Sequence, residues 1–297
     1  MNKGFWYAIG AYVWWGFFPF YWKMLKHVPA IQLIGHRIVW SFAALIAVIL
    51  IIHQWKEFRN SALTFKILRI YILAAVLIAV NWFLYVWAVN AGHIVETSLG
   101  YFINPLLSVL MGVIFFRERL KLWQWIPIGM AAAGVFYLTI SLGSLPWIAL
   151  ILALSFASYG VVKKIAPLNS LHGLTLETFI LLIPAITFLL YSEYSGGGAF
   201  THNGWLTDLM IIGAGVITTI PLLLFASATK RIPLSFVGIL QYIAPTIQFL
   251  IGVLFYKEQF SFEQFIGYSF VWVALIIFGF NSFSSYRAKS ITAAEME

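Results

Sequence analysis

Long apolar segments separated by short polar ones dominate the chain. Runs without a single charged residue cover 4–22, 70–95, 97–116, 209–229, 232–256 and 264–286, and a longer one covers 122–162. The shorter runs are close to the roughly 20 residues that a helix needs to cross about 30 Å of hydrocarbon. Because they are continuously apolar and do not alternate with period 2, they predict membrane-spanning helices and exclude a β-barrel.

The polar breaks divide the chain into ten predicted spans. The run 122–162 contains Ser-Leu-Gly-Ser-Leu-Pro at 141–146, which favours a turn and therefore two spans. The ten predicted spans are 4–26, 31–53, 70–91, 94–116, 123–140, 145–164, 173–191, 206–228, 234–256 and 262–283. Only 54–69 and 192–205 are long loops, and the polar tail 284–297 is predicted to be disordered. The predicted fold class is an all-α integral membrane protein with ten transmembrane helices.

Composition supports the membrane assignment and narrows the chemistry. Hydrophobic residues make up 62% of the 297 and charged residues only 9%, whereas soluble domains carry about 25% charged residues. The net charge of +8 comes from bases scattered over short loops, so it does not indicate nucleic-acid binding. Without cysteine, the chain has neither disulfides nor thiolate metal ligands, and we expect no cofactor and no metal.

The chain contains an internal repeat at an offset of 140 residues. Without a gap, 101–126 aligns with 241–266, with identities that include Ile103, Pro105 and Glu118. An aromatic residue, a base and Glu close both segments, at 116–118 and 256–258. We therefore predict two five-helix repeats, 1–140 and 141–283, followed by the tail 284–297. Duplicated membrane proteins of this kind are typical of transporters, whose halves move about a site between them.

Lysine and arginine predict the orientation of the spans. With the N-terminus in the cytoplasm, 14 of the 18 bases fall on the cytoplasmic side, three fall outside, and Arg37 stays within a span. This bias follows the positive-inside rule and predicts that both termini are cytoplasmic. Since each half has five spans, the second half must enter the membrane inverted. The predicted architecture is thus a pair of inverted five-helix repeats.

Ordered sequence segments resemble a known family. The chain opens with GFWYAIGAYVWWGFFPFYWKML at 4–25, followed by His-Arg-Ile-Val-Trp-Ser at 36–41, Asn-Trp at 81–82 and Trp-Ala-Val-Asn at 87–90. With two EamA-type halves, these segments resemble the RarD branch of the drug/metabolite transporter superfamily over residues 4–283. The resemblance implies an inner-membrane permease whose substrate cavity lies between helices one, three and four of one half and six, eight and nine of the other.

Polar and aromatic residues within these helices are the candidate substrate ligands, because polar groups in spans are costly. The candidates are Trp14, Asn81, Trp82, Tyr101, Asn104, Tyr159, Gln241, Tyr242 and Gln248. Four of them, Tyr101 and Asn104 in the fourth span and Gln241 and Tyr242 in the ninth, precede prolines in corresponding segments of the repeat, so we expect them to face each other across the axis between the halves. The alternative is packing for the aromatics and for Asn104 and Gln241, and interhelical hydrogen bonding for Asn81 and Gln248.

Charged or titratable groups in or beside spans are the candidates for ion coupling. They are Glu177, Glu96, His36 and Arg37, and Glu177 aligns with Arg37 in the repeat. A partly buried carboxylate can exchange a proton between two access states. The alternatives are snorkelling or capping for Arg37 and Glu177 and a favourable helix dipole for Glu96. Lys163 and Lys164 are assigned to the cytoplasmic end of the sixth helix, with no further role.

The sequence predicts a secondary active transporter in the cytoplasmic membrane, which exports small organic metabolites or drugs by alternating access. A Walker A sequence is absent, so ATP-driven transport would need another subunit. The expected partners are a small organic substrate and the lipid bilayer, with protons as a possible coupling ion. A membrane-embedded enzyme and a non-transporting channel or receptor are the alternatives. No metalloprotease or serine-hydrolase motif supports an enzyme.

Overall fold

The computed structural model describes residues 3–62, 64–91, 93–142 and 146–257, together with positions 262, 265–266, 269–270, 272–273 and 276–277. All secondary-structure elements in this part of the chain are helices. They are α1 (Lys3–Gly16), α2 (Phe18–Met24), α3 (Ala30–Ile51), α4 (Trp55–Ala62), α5 (Phe65–Asn90), α6 (Ile94–Phe116), α7 (Leu122–Leu142), α8 (Trp147–Ile165), α9 (Ser170–Tyr194), α10 (Trp205–Thr229), α11 (Leu234–Leu240) and α12 (Ile243–Leu254).

In the described part of the chain, seven helical segments are long and apolar enough to cross a membrane. They correspond to the predicted second, third, fourth, sixth, seventh, eighth and ninth spans. The fifth predicted span is α7, which is helical over Leu122–Leu142. The predicted tenth span, 262–283, lies largely outside the described residues. The protein is therefore an all-helical, multi-pass membrane protein.

The segment 54–69, predicted as a loop, contains the short helix α4. This prediction was wrong because α4 is too short and too polar to be recognised from an apolar run. Its Phe58 and Ala62 are buried, and they pack in one cluster with Tyr71 of α5 and Leu176 of α9. Tertiary packing, rather than local hydrophobicity, thus stabilises this helix.

Two of the predicted spans are interrupted. The first divides into α1 and α2 at Phe17, two residues before Pro19, and the ninth divides into α11 and α12 at 241–242, shortly before Pro245. Proline has no backbone N–H and clashes with the preceding turn, so helices bend or break near it. The fourth span differs, because α6 continues through Pro105.

The two predicted halves pack extensively against each other. Helix α3 contacts α9 and α10, while α6 contacts α8 and α11. Glycines allow close approach at two crossings: a Cβ on Gly215 of α10 would come within 2.5 Å of the Ser41 backbone, and one on Gly238 of α11 within 2.8 Å of the Pro105 carbonyl. Small residues at such crossings are typical of membrane helices.

Candidate functional site

Glu177 of α9 forms a buried ion pair inside the second half. Its Oε1 lies 2.6 Å from Nζ of Lys163 on α8, and Tyr159 donates a hydrogen bond to its Oε2 at 2.9 Å. Glu177 and Lys163 are each only 1% exposed. The snorkelling and capping alternatives are therefore wrong for Glu177. Lys163 does lie in the last turn of α8, as predicted, but the prediction that it has no further role is wrong, because it pairs with Glu177. The sequence did not indicate this pair, although the two residues approach each other from adjacent spans.

Lys230 extends the charged cluster toward the end of α10. Its ammonium donates hydrogen bonds to the carbonyls of Ala166 and Leu168. Burial, followed by repulsion from Lys163 and Arg231, lowers the pKa of Lys230 to about 8. The buried pair thus lies beneath a basic edge of the protein, on the side predicted to be cytoplasmic.

A small internal cavity lies beside Glu177, between residues of the two halves. Ser41 of α3 and Trp82 of α5 line it from the first half, and Glu177, Thr178 and Thr219 line it from the second. It has room for about one water molecule. Polar groups from the second, seventh and eighth predicted spans therefore meet at one place, although Ser41, Thr178 and Thr219 were not among the candidates from sequence.

Arg37 of α3 lies between aromatic rings at the junction of the halves. Its guanidinium carbon lies 5.0 Å from the Trp22 ring centre and 4.5 Å from that of Trp82. Its Nε donates a hydrogen bond of 3.0 Å to Thr218 of α10. A charged residue within a span costs about 2.5–3.5 kcal/mol on insertion scales, and each cation–π contact offsets about 0.5–2 kcal/mol. Trp22 and Thr218 were not predicted from sequence, because only the fold brings them to Arg37.

A second crevice lies beside Arg37, between α5, α6 and α8. Asn81 and Tyr85 of α5 line it together with Tyr101 and Asn104 of α6. Asn81 also donates to the Leu152 carbonyl at 2.8 Å and to the Ser155 hydroxyl at 3.1 Å. Asn81 therefore combines both sequence interpretations, because it bonds across the two halves and lines a crevice.

A side chain of the first span donates a hydrogen bond to the backbone of the eighth span, one turn before a proline. Pro221 cannot donate to the carbonyl of Ile217, one turn earlier in α10. The indole N–H of Trp14, on α1 of the other half, donates to that carbonyl at 3.0 Å. The structure therefore places Trp14 as an interhelical donor.

Gln248 has the corresponding role at the break in the first span. Pro19 leaves the carbonyl of Trp15 without its usual helical donor, and Nε2 of Gln248 on α12 donates to it at 3.1 Å. Non-helical backbone at membrane depth is tolerated only where protein or water satisfies its polar groups. Gln248 therefore forms the interhelical hydrogen bond that the sequence analysis gave as the alternative to substrate binding.

Gln241 and Tyr242 lie where α11 meets α6. The hydroxyl of Tyr242 donates to the Phe102 carbonyl at 3.0 Å, and Oε1 of Gln241 lies 3.5 Å from the Ser108 hydroxyl. Both side chains are buried. The corresponding proline-containing segments thus meet across the halves, but Tyr101 and Asn104 line the crevice while Gln241 and Tyr242 pack within the helix contact.

The other coupling candidates do not join the buried pair. His36 is 8% exposed, and its ring lies 5.3 Å from that of Phe200, in a separate cleft of about 450 Å³ between α3 and α9. The side chain of Glu96 lies outside the described residues. No cluster of three metal-ligating side chains occurs within the part of the chain that the structure describes.

Interlocked apolar helices with polar groups at the junction of two halves define a multi-pass membrane protein of the transporter type. Residues 2–140 and 145–280 each match the EamA-like transporter family, and the chain belongs to this family.

Relatives of similar length carry transporter or RarD names. The chain is 45% identical to the uncharacterized transporter YojE of Bacillus subtilis, over 97% of both chains. It is 41% identical to protein RarD of Streptomyces exfoliatus, over 96% of this chain and 91% of that one. The identity to protein RarD of Escherichia coli is 40%, over 95% and 96%.

A solved crystal structure supports the fold. It is 18% identical in sequence and superposes with a TM-score of 0.67, covering 92% of this chain and 96% of that one. At this identity the likeness concerns the arrangement of the helices alone.

Proposed function

We propose that the protein is a secondary active transporter that moves small organic metabolites or drugs outward across the cytoplasmic membrane by alternating access. The observation that carries the proposal is the placement of polar groups between the two halves. Asn81 binds Leu152 and Ser155 of the other half, and Arg37 binds Thr218. Polar residues inside spans typically mark substrate or ion pathways. The outward direction is part of this proposal, and the family match supports transport itself.

The contacts between helices occur in pairs that the repeat relates to each other, and this supports alternating access. The first span packs on the eighth (α1 on α10), and the sixth packs on the third (α8 on α5). The second packs on the eighth (α3 on α10), and the seventh on the third (α9 on α5). Exchanging the halves converts each contact into the other, as expected for repeats related by a pseudo-twofold axis. Such repeats can alternate access by rocking about a fixed site.

Proton coupling through Glu177 is the proposed energy source. In this arrangement the carboxylate is held by Lys163 and Tyr159, so it is already neutralised by an internal cation. Binding a proton at Glu177 would require separation from Lys163, because a protonated carboxyl group no longer forms an ion pair. We therefore propose that α8 and α9 separate at this pair in the other access state.

Purified protein in proteoliposomes tests the transport function. A panel of amino acids, amines and amphenicols is first screened for compounds that raise the melting temperature, since a ligand of the folded state stabilises it. Uptake of the stabilising compound is then measured with and without an imposed pH gradient. We expect gradient-dependent transport, which Glu177→Gln abolishes. Binding without transport would instead favour an embedded receptor or enzyme.

A matched variant separates coupling from general damage. Glu193 forms an exposed pair with His202, so Glu193→Gln removes a carboxylate from the same helix without touching the buried pair. We expect this variant to retain the gradient dependence. Full gradient-driven transport by Glu177→Gln would contradict the proposed coupling role while leaving the transport function intact.

A further inference from the structure

Arg37 is a cation in a span with unused hydrogen-bond donors. Only its Nε has a hydrogen-bond partner among the described residues, the hydroxyl of Thr218. No carboxylate of the described chain lies within 4.0 Å of its guanidinium. The two Nη groups, which can bind both oxygens of one carboxylate in a fixed geometry, therefore have no hydrogen-bond partner in the part of the chain that the structure describes.

The internal repeat shows that the two halves differ in charge at this position. At the offset of 140 residues, Arg37 aligns with Glu177, and Lys23 aligns with Lys163. In the second half these positions form the buried pair Glu177–Lys163. In the first half both positions are basic, and Lys23 lies over the Tyr256 ring at 3.1 Å. One half thus balances its buried charge, and the other retains a positive charge.

An aromatic crevice lies beside Arg37, and in this arrangement of the helices it is narrow, with room for about one water molecule. Tyr85 and Tyr101 are close enough to Arg37 to interact with its charge. Their side chains are 36% and 41% exposed. Both also line the crevice between α5, α6 and α8. The faces of Trp22 and Trp82 are occupied by the guanidinium itself. A cationic ligand would therefore meet like charge here, whereas an anion would find the two Nη donors beside aromatic walls.

We propose that Arg37 binds the carboxylate of the transported substrate, so that the substrate class is small organic monocarboxylates with an apolar or aromatic body. The Nη groups receive the carboxylate, and Tyr85 and Tyr101 contact the apolar part. Because it names the substrate of the transporter proposed above, this inference rests on that function. Thr218 holds the guanidinium in place through Nε and is a positioning residue.

Matched ligands test the inference on full-length protein in detergent. Phenylacetate, phenylacetamide and phenethylamine share one aromatic body and differ in charge, and hexanoate with hexanamide and hexylamine forms an aliphatic set. We expect at least one carboxylate to raise the melting temperature, with its amide and amine binding at least tenfold more weakly. Arg37→Gln should weaken carboxylate binding at least tenfold, and Arg37→Lys should retain part of it.

Further variants keep the test decisive if Arg37→Gln folds poorly. Arg37→Lys preserves the charge but not the two parallel donors, so we expect partial binding of the carboxylate. The control is Arg59→Gln, which removes an exposed cation of α4 and should bind like the parent. Thr218→Val should weaken binding less than Arg37→Gln. Equal stabilisation by carboxylate, amide and amine would overturn the inference, as would no stabilisation by either carboxylate.

Two outcomes separate this inference from the transport function and from lipid binding. Counterflow of amides or amines in proteoliposomes, without counterflow of the carboxylates, would sustain transport and overturn the substrate class. Phosphatidylglycerol could offer an oxyanion from the bilayer instead. Arg37-dependent stabilisation by this lipid, with none by the carboxylates, would assign Arg37 to lipid and overturn the inference.

Discussion

Single charged residues show how this protein tolerates polarity within its spans. Arg37 and Glu177 were recognisable from sequence because a charge inside an apolar run is conspicuous. Lys163 was missed because a base at a helix end suits both the helix dipole and the cytoplasmic side. Its burial arises from the close packing of α8 against α9, where the carboxylate of Glu177 lies 2.6 Å away. Pairing of this kind depends on the fold and not on local sequence.

Breaking the Glu177–Lys163 pair should cost more than removing it. Glu177→Gln leaves the ammonium of Lys163 buried without its counter-ion, and we expect a loss of about 3–5 kcal/mol. Lys163→Met should cost a similar amount. The double variant should recover much of the loss, because no unpaired charge remains. Thermal unfolding of the parent, both single variants and the double variant measures the coupling.

The exposed pair His202–Glu193 provides the control for this cycle. Its side chains are about half exposed, so Glu193→Gln should change stability by less than about 1 kcal/mol. Strictly additive losses in the double variant would show that Glu177 and Lys163 do not stabilise each other.

At the scale of helices, prolines and the side chains that compensate for them explain the shape of the bundle. Apolar runs alone predicted most spans to within a few residues, because hydrocarbon thickness fixes helix length. The interruptions at Phe17 and at 241–242 were not predicted as helix ends, since a proline within an apolar run can either bend or break a helix. Pro105, which α6 accommodates without interruption, shows that the tertiary context decides.

Restoring the missing donor should compensate for the loss of the donating side chain. Gln248→Leu leaves the carbonyl of Trp15 unpaired, and we expect a loss of about 1–3 kcal/mol. Pro19→Ala adds a backbone N–H that can bond this carbonyl. The double variant should therefore be more stable than Gln248→Leu alone, as measured by thermal unfolding. A double variant that is no more stable would show that the Gln248 hydrogen bond has no role in satisfying the break.

Glu118 connects the end of α6 with the beginning of α11. Its carboxylate accepts hydrogen bonds from the backbone N–H groups of Leu234 at 2.7 Å and Ser235 at 2.9 Å. Lys164 lies 3.8 Å from the same carboxylate. A negative charge at a helix N-terminus is favourable, so the Glu that closes the repeated aromatic-base-Glu segment holds the two halves together on the side predicted to be cytoplasmic.

Weakening this connection should open the cytoplasmic side. Glu118→Gln replaces an acceptor oxygen with an amide NH₂ that cannot accept the second N–H bond. Because the side chain of Ser235 is fully buried, Ser235→Cys should react slowly with a thiol reagent in detergent. We expect the added Glu118→Gln substitution to raise that rate at least several-fold. Asn60→Cys, which is exposed, should react at one rate in both backgrounds, and an unchanged rate at position 235 would contradict a closing role for Glu118.

At the scale of the whole molecule, the repeat and the charge distribution lead to one arrangement. The alignment at 140 residues predicts two halves, and the helix contacts exchange in pairs when these predicted halves are exchanged. The substrate crevice was less accessible to sequence reasoning. Tyr101 and Asn104 do line it, but Gln241, which is equivalent to Tyr101 in the repeat, and its neighbour Tyr242 pack within the α6–α11 contact. The internal repeat thus predicts which backbone positions correspond in the two halves. It does not predict the surroundings of each side chain, because the neighbouring residues differ between the halves.

Topology provides the test of this arrangement at the largest scale. Since each half contributes an odd number of predicted spans and 14 of 18 bases fall on one side, both termini should be cytoplasmic and the halves inverted. The chain has no cysteine, so single cysteines report their side of the membrane directly. Ser195→Cys, exposed between α9 and α10, should react with an impermeant thiol reagent in intact cells, while Asn60→Cys on α4 should react only after the membrane is permeabilised. Because α5 to α9 are predicted to cross the membrane five times between these positions, the two sites should label from opposite sides. Labelling of both from the same side would refute the predicted count of spans, and labelling of Asn60→Cys alone in intact cells would reverse the orientation.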